Sequence, residues 1–304
     1  MSNKRRAALG VLAFAVLSAA AIGGVVWRRT RALNPASWLK RLPAKDTLIV
    51  YLDFDALRRA GVLQLLDGSK VGEEPEYRAF VRRTRFDYRQ DLDAAMVAFA
   101  PGGTFMLLKG RFDWRSLHSY VEAEKGRCYN TLCRMEGSAP ERRISFFPVL
   151  SNLMALAVSQ DESAALRMTT QVSAANRELP GAPVWLSIPP STLKSGENLP
   201  AGTGMFARGM EQAESVTLAF APEGARIAAR LDVRCRNEQD AADAAARLAK
   251  ATALLREMIE REHQTPNPAD LSGVLTAGAF RAEGRRVLGY WPIERAFIDN
   301  ALGR

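Results

Sequence analysis

Val97-Ala98-Phe99-Ala100-Pro101-Gly102-Gly103 returns later in the chain as Leu218-Ala219-Phe220-Ala221-Pro222-Glu223-Gly224. Each copy joins two apolar runs, AAMVAFA to TFMLLKGRF in the first and ESVTLAFA to ARIAARLDV in the second. A Pro-x-Gly between two such runs reads as a β-hairpin turn. Each hairpin leads into a helix, the first beginning at Asp113 (DWRSLHSYVEAEKG) and the second following Asn237 (EQDAADAAARLAKATALLREMIERE).

The correspondence extends outward. Each copy is preceded by an extended run, Leu48–Leu57 (LIVYLDFDAL) or Val184–Leu193 (VWLSIPPSTL). Each is followed by strand-like runs: CYNTLCRME, RRISFFPV and NLMALAVS in the first half, SGVLTAGAF and RRVLGYWPI in the second. A short helix closes both halves, ESAALRMTTQV and ERAFIDNAL. The order strand, helix, hairpin, helix, hairpin, helix, twice over, predicts a duplicated α+β body with antiparallel sheets. Residues 46–172 form the first unit and 183–304 the second, with the boundary near Ser173–Pro183. The bland alternative is that a good hairpin turn arose twice.

The helix after Asn237 carries the clearest local signals. Asn237 is a suitable N-cap, and Glu238 and Asp240 in the first turn complement the helix dipole. Ala241, Ala244, Leu248, Ala251, Leu255 and Met258 follow the spacing of one buried stripe. His263 and Pro266 mark its end.

Ahead of this body, Ala7 to Trp27 form one uncharged apolar run of 21 residues, AALGVLAFAVLSAAAIGGVVW. About 20 such residues span a bilayer core. Lys4, Arg5 and Arg6 bracket it on one side, Arg28, Arg29 and Arg31 on the other, and Trp27 has the character of an interfacial anchor. Ala19-Ala20-Ala21 offers a cleavage site, but Ile22, Val25, Val26 and Trp27 continue the run past it. Residues 1–31 are therefore expected to be an uncleaved single-pass anchor. Residues 32–45, with Pro35 and Pro43, are expected to be a stalk. Two rules for orientation conflict. Three basic residues precede the run and six follow it before Asp46, which favours a cytoplasmic body. A short basic start before an apolar run has the form of an export signal, which favours an extracytoplasmic one. The expectation taken here is export, with the body on the extracytoplasmic side of the membrane.

Charge narrows the partners. Nine of the 42 Lys and Arg lie within residues 1–45, which hold no Asp or Glu, so the rest of the chain balances 33 basic against 33 acidic residues. The pI near 9.8 thus reflects the membrane-adjacent segment. It points to anionic lipid headgroups, not to nucleic acid.

No catalytic signature stands out. The chain has no nucleophile elbow, Walker loop or dinucleotide fingerprint, and Gly202-Thr203-Gly204 is an isolated fragment. His118 and His263 lie in different units without zinc-site spacing, and read as structural or solvated. Asp53 and Asp55 alternate on an expected strand. Asp87, Asp91 and Asp93 cluster in FDYRQDLD with Arg85 and Arg89. Such carboxylates could serve a cation or an acid–base pair, although arginine pairing and capping explain them more simply. Cys128, Cys133 and Cys235 are too few for a disulfide scaffold. A Cys128–Cys133 bond requires a sharp turn through Tyr129–Leu132, because five residues of straight strand span about 16 Å. No catalytic residue, metal ligand or cofactor is assigned.

The anchor, LIVYLDFDALRRAGVLQLL and FDYRQDLDAAMVAFAPGG together resemble an uncharacterised group of bacterial membrane-anchored envelope proteins. The resemblance implies a tethered, extracytoplasmic, duplicated α+β body and transfers no catalytic residues. The expected function is non-enzymatic binding or scaffolding of an envelope partner. The alternatives are a cation-dependent hydrolase using Asp53, Asp55, Asp87, Asp91 and Asp93, and an amphiphile carrier with a large apolar cavity between the units.

Overall fold

A computed structural model describes residues 34–65, 75–137, 139, 142–170, 178–195 and 203–301. The apolar run 7–27 and the interfacial residues Lys4, Arg5, Arg6, Trp27, Arg28, Arg29 and Arg31 lie outside the described residues. Among the described residues no helix is long and apolar enough to cross a membrane.

The strands are β1 (Leu48–Asp53), β2 (Leu92–Ala100), β3 (Gly103–Gly110), β4 (Arg127–Tyr129), β5 (Leu132–Glu136), β6 (Arg143–Leu150), β7 (Leu153–Ser159), β8 (Val184–Ile188), β9 (Ser215–Glu223), β10 (Arg226–Arg234), β11 (Ala279–Glu283) and β12 (Arg286–Ile293). The helices are α1 (Pro35–Leu39), α2 (Phe54–Arg59), α3 (Val62–Leu65), α4 (Pro75–Thr84), α5 (Tyr88–Asp91), α6 (Trp114–Ala123), α7 (Ala164–Thr170), α8 (Pro190–Ser195), α9 (Gly204–Gly209), α10 (Glu238–Arg261), α11 (Leu271–Thr276) and α12 (Arg295–Ala301). The fold is mixed α+β. Its strands form one sheet in the order β11-β12-β10-β9-β8-β1-β2-β3-β7-β6-β5-β4, with antiparallel neighbours throughout. Instead of the separate antiparallel sheets expected, the two halves of the chain share a continuous sheet, closed by the β1–β8 ladder at its middle.

That ladder and the two flanking it have matching registers. Leu48 pairs with Phe99, and Val184 pairs with Phe220. Counting two residues onward from Leu48 and from Val184 reaches Val50 and Leu186, which pair with each other. Strand β1 is followed outward by β2, β3, β7 and β6, and β8 by β9, β10, β12 and β11. The first half adds the small β4–β5 hairpin beyond β6.

The two AFAP segments end their strands differently. Pro101 and Gly102 form a two-residue turn between Ala100 and Gly103. In the second half Pro222 stays in the strand opposite Ile227, and the turn moves to Gly224-Ala225. The glycines differ accordingly. Gly103 has φ +135° and packs against β7, where a Cβ would sit 2.4 Å from the Val158 carbonyl oxygen. Gly224 has φ +63° in an open turn, with nothing within 4 Å of an added Cβ.

Strand alternation gives the sheet two faces. On one, Leu117 and Val121 of α6 pack on Phe146 and Met154 at one end. At the other end α9, α10 and α11 cover Val216, Leu231, Val233 and Val287. On the opposite face, Trp38 and Leu39 of α1, with Leu42, and Ala164, Ala165 and Met168 of α7 cover Tyr51, Met96, Leu107 and Ala155. Beyond Trp185, the outer half of this second face carries the groove described below.

Several sequence expectations change. The 32–45 segment, read as a stalk, is in its described part a packed element. Asn34 caps α1, Pro35 takes the first helical position, and Trp38 is 1% exposed. The extended runs 48–57 and 184–193 each end as strands and continue as helices. Asp53 caps α2 through Ala56 N–H, and Pro190 opens α8 after Pro189. SGVLTAGAF is helical over 271–276 before the strand begins at Ala279, because Asp270 accepts hydrogen bonds from Ser272 and Gly273 N–H. The α10 stripe buries Ala241, Ala244, Leu248 and Ala251 with Leu255 partly buried, but Met258 is exposed.

Candidate functional site

The five carboxylates do not share one site. Asp53 caps α2, so Asp53 and Asp55 do not alternate along a strand. Asp55 sits in the first turn of α2 and pairs with Arg58 and Arg59 at 3.4 and 3.1 Å. Asp87 caps α5, accepting from Arg89 N–H and from the Tyr77 hydroxyl, both at 3.0 Å. Burial and this bond to Asp87 push the Tyr77 phenol up. Asp91 accepts from Asp87 N–H at 2.9 Å and from Arg111 at 3.1 Å. These two aspartates brace a short helix, and the cation on Asp91 is Arg111, not Arg85 or Arg89 of its own segment.

Asp93 is different. The β2–β3 register shifts between Leu92 and Ala94, and a bulge of this kind re-aims the residue it contains. Asp93 lies 4.0 Å from Lys109 Nζ. With Asp53, Asp55, Tyr51 and Lys109 it lines a pocket of about 260 Å³ beside α1. Three of the five expected carboxylates therefore border one hollow. Each already has a partner: a capped N–H, two arginines or a lysine. Their oxygens do not form a group of three within 4.8 Å of one another.

The larger concavity is a groove of about 750 Å³ on the outer half of the second face. Trp185 and Ser187 of β8, Thr217, Ala219 and Ala221 of β9, and Leu288 of β12 line it. The small β9 side chains leave the space. Arg230, Asp232, Arg234 and Arg286 rise from β10 and β12. Arg286 donates to both Asp232 oxygens, Nε–Oδ1 being 3.1 Å, and this pairing raises the guanidinium further. Arg230 reaches Glu223 at 3.1 Å. Glu223 also accepts from the Tyr290 hydroxyl at 2.5 Å, and that hydrogen bond is the first cause of its depressed carboxyl pKa. Arg234 stands opposite Arg286 in the ladder and has no carboxylate within 4 Å among the described residues. The groove thus combines a small-residue floor, a buried tryptophan and, among the described residues, a cation without a carboxylate partner.

At the far edge of the sheet, Cys128 and Cys133 face each other across the β4–β5 hairpin and are joined as a disulfide, their Cα atoms 4.0 Å apart. The sharp turn this requires lies at Asn130-Thr131, with Asn130 at φ +53°, a conformation asparagine tolerates. His118 of α6 lies beside the pair. Sequence spacing missed this proximity, since ten residues separate His118 from Cys128 and only the packing of α6 brings them together. His263 sits past the end of α10 at φ +56°, away from any such cluster among the described residues. Cys235 is a free, buried thiol pushed up by its burial.

No family model matches the chain, and no curated protein matches it. Among the similar solved structures are three crystal forms of TP0453. Crystal form I of TP0453 aligns with TM-score 0.47 and 12% identity, over 89% of this chain and 98% of that one. Crystal form III gives 0.49 and 12%, over 88% and 98%. Crystal form IV gives 0.47 and 10%, over 89% and 97%. At these scores the likeness transfers no residue role and no function.

Proposed function

We propose that the chain is a non-enzymatic, membrane-anchored protein of the bacterial cell envelope, whose duplicated α+β body binds a partner outside the cytoplasm. The groove on the half of the second sheet face that no described helix covers carries this reading. An open, partly apolar concavity with a few polar groups is the usual form of a binding site. The carboxylates of the enzymatic alternative are engaged as caps and ion pairs, although Asp53, Asp55 and Asp93 border one hollow, which is the support that alternative retains.

The register around Val50 and Leu186 supports duplication. If residue 184 corresponds to 48, the central ladder maps onto itself, as a local twofold requires. The anchor reading rests on the apolar run 7–27 and its basic brackets at Lys4, Arg5, Arg6, Arg28, Arg29 and Arg31, which would meet anionic headgroups. The Cys128–Cys133 disulfide favours an oxidising compartment and hence an exported body. A reporter active only outside the cytoplasm, fused after Arg304, tests the orientation. It should be active, and activity confined to a cytoplasmic reporter would reverse the topology.

A second reading, amphiphile binding, has its own support. Trp27 and Asn34 are seven residues apart, at most about 25 Å of extended chain. The tether would therefore hold α1, and the groove bordered by Leu39, close to the bilayer. Arg234 would then meet an anionic headgroup. Organic extraction and mass spectrometry of protein purified from native membranes separates the readings. Stoichiometric lipid lost on Ala219→Trp supports the carrier, and a co-purifying protein lost on the same change supports the partner.

A further inference from the structure

The nitrogen of His118 and the two sulfurs of Cys128 and Cys133 lie within 4.8 Å of one another. Among the described residues they are the one group of three His, Cys, Asp or Glu donors so placed. Cys133 is buried, while Cys128 and His118 are partly exposed, so the cluster is both framed and reachable. No hydrogen bond among the described residues engages the His118 side chain.

Thiolate and imidazole donors suit Zn²⁺, which takes them in tetrahedral sites. Bonds of about 2.0–2.3 Å put tetrahedral donors roughly 3.5–4 Å apart. The His118 nitrogen, within 4.8 Å of each sulfur, is at most about an ångström beyond that spacing, and the sulfurs move apart when the S–S bond opens. Strand β4 pairs with β5 alone, over Arg127, Cys128 and Tyr129, and so leaves room for the hairpin to adjust.

We propose that reduction of the Cys128–Cys133 disulfide converts this corner into a Zn²⁺ site, with His118 as third ligand and the fourth position left to solvent. An external dithiol supplies two electrons and two protons, opening the S–S bond to two thiols and itself becoming a disulfide. Zn²⁺ then binds both sulfurs as thiolates and releases the two thiol protons. The disulfide secures β4 in the oxidised chain, and the metal takes that role in the reduced one.

The test uses the full chain in detergent, in a Cys235→Ala background, with Zn²⁺ alone as the probe. After reduction and desalting, elemental analysis should find one Zn²⁺ per chain, against none in the oxidised protein. His118→Ala should weaken retention more than about tenfold. Zinc-free reduced protein, or retention unchanged by His118→Ala, would overturn the proposal. A second measurement needs no variant at His118. In the reduced native sequence, Zn²⁺ should slow maleimide labelling of Cys128 and Cys133, and labelling at an unchanged rate counts equally against the site.

Discussion

Tyr51 of β1 stacks on Trp185 of β8, with ring centroids 5.4 Å apart and planes inclined by 20°. The two residues pair directly across the ladder that joins the halves of the sheet. Trp38 also packs against Tyr51, with ring centroids 6.4 Å apart and planes tilted by 59°. Trp185 is 2% exposed and borders the groove, so it fastens the halves together and shapes the groove wall.

Trp185→Ala should therefore destabilise the body by about 3–5 kcal/mol, the usual cost of emptying a buried tryptophan site. Urea denaturation followed by circular dichroism measures this. A loss under about 1 kcal/mol would mean that the halves do not depend on this joint.

The two hairpin glycines should respond unequally. Gly103→Ala forces a Cβ against the Val158 backbone at a φ that side chains rarely adopt. Gly224→Ala meets open space and costs only the left-handed penalty of about 1–2 kcal/mol. Thermal unfolding of the two variants should rank Gly103→Ala as the more damaging. The reverse order would contradict the turn assignments.

Burial, with a smaller contribution from nearby Asp53, pushes the Tyr51 phenol from 10.0 up to about 12. The unfolded chain ionises Tyr51 first, so its contribution to stability is complete below pH 10 and is lost as pH rises toward 12. Tyr51→Phe should flatten the decline in stability over that window relative to the native chain. Equal slopes would place Tyr51 in contact with water.

Asp53 tests the enzymatic alternative. As an α2 cap, its replacement by alanine should cost about 1 kcal/mol, with Asp53→Asn milder. Urea denaturation of both variants measures this. A metal-dependent hydrolysis abolished by Asp53→Ala, with folding intact, would make the pocket of Asp53, Asp55 and Asp93 catalytic.

Local signals in the sequence survived best. Asn237 caps α10 through Asp240 N–H, and the alanine stripe faces the sheet, because both depend on residues within one helix. Asp113 caps α6 for the same reason. What failed depended on distant partners. Trp38 and Leu39 look like part of a stalk until the Tyr51 surface exists to bury them. Asp55 leaves the expected strand because Asp53 caps a helix first. Pro222 remains in β9 because Ile227 offers it a ladder position, where Pro101 turns. The groove has no sequence signature, since it follows from which part of the sheet the described helices do not cover. The His118 cluster likewise depends on how α6 crosses the β4–β5 hairpin.

Site-specific photo-crosslinking in native membranes asks what occupies the groove. A photoreactive phenylalanine analogue replaces Thr217 or Ala221 in the groove, and Lys250 on exposed α10 as the control. Binding through the groove predicts one discrete adduct from Thr217 and Ala221, protein or lipid by mass, and none from Lys250. Adducts of equal yield from all three positions, or none from the groove, would contradict it.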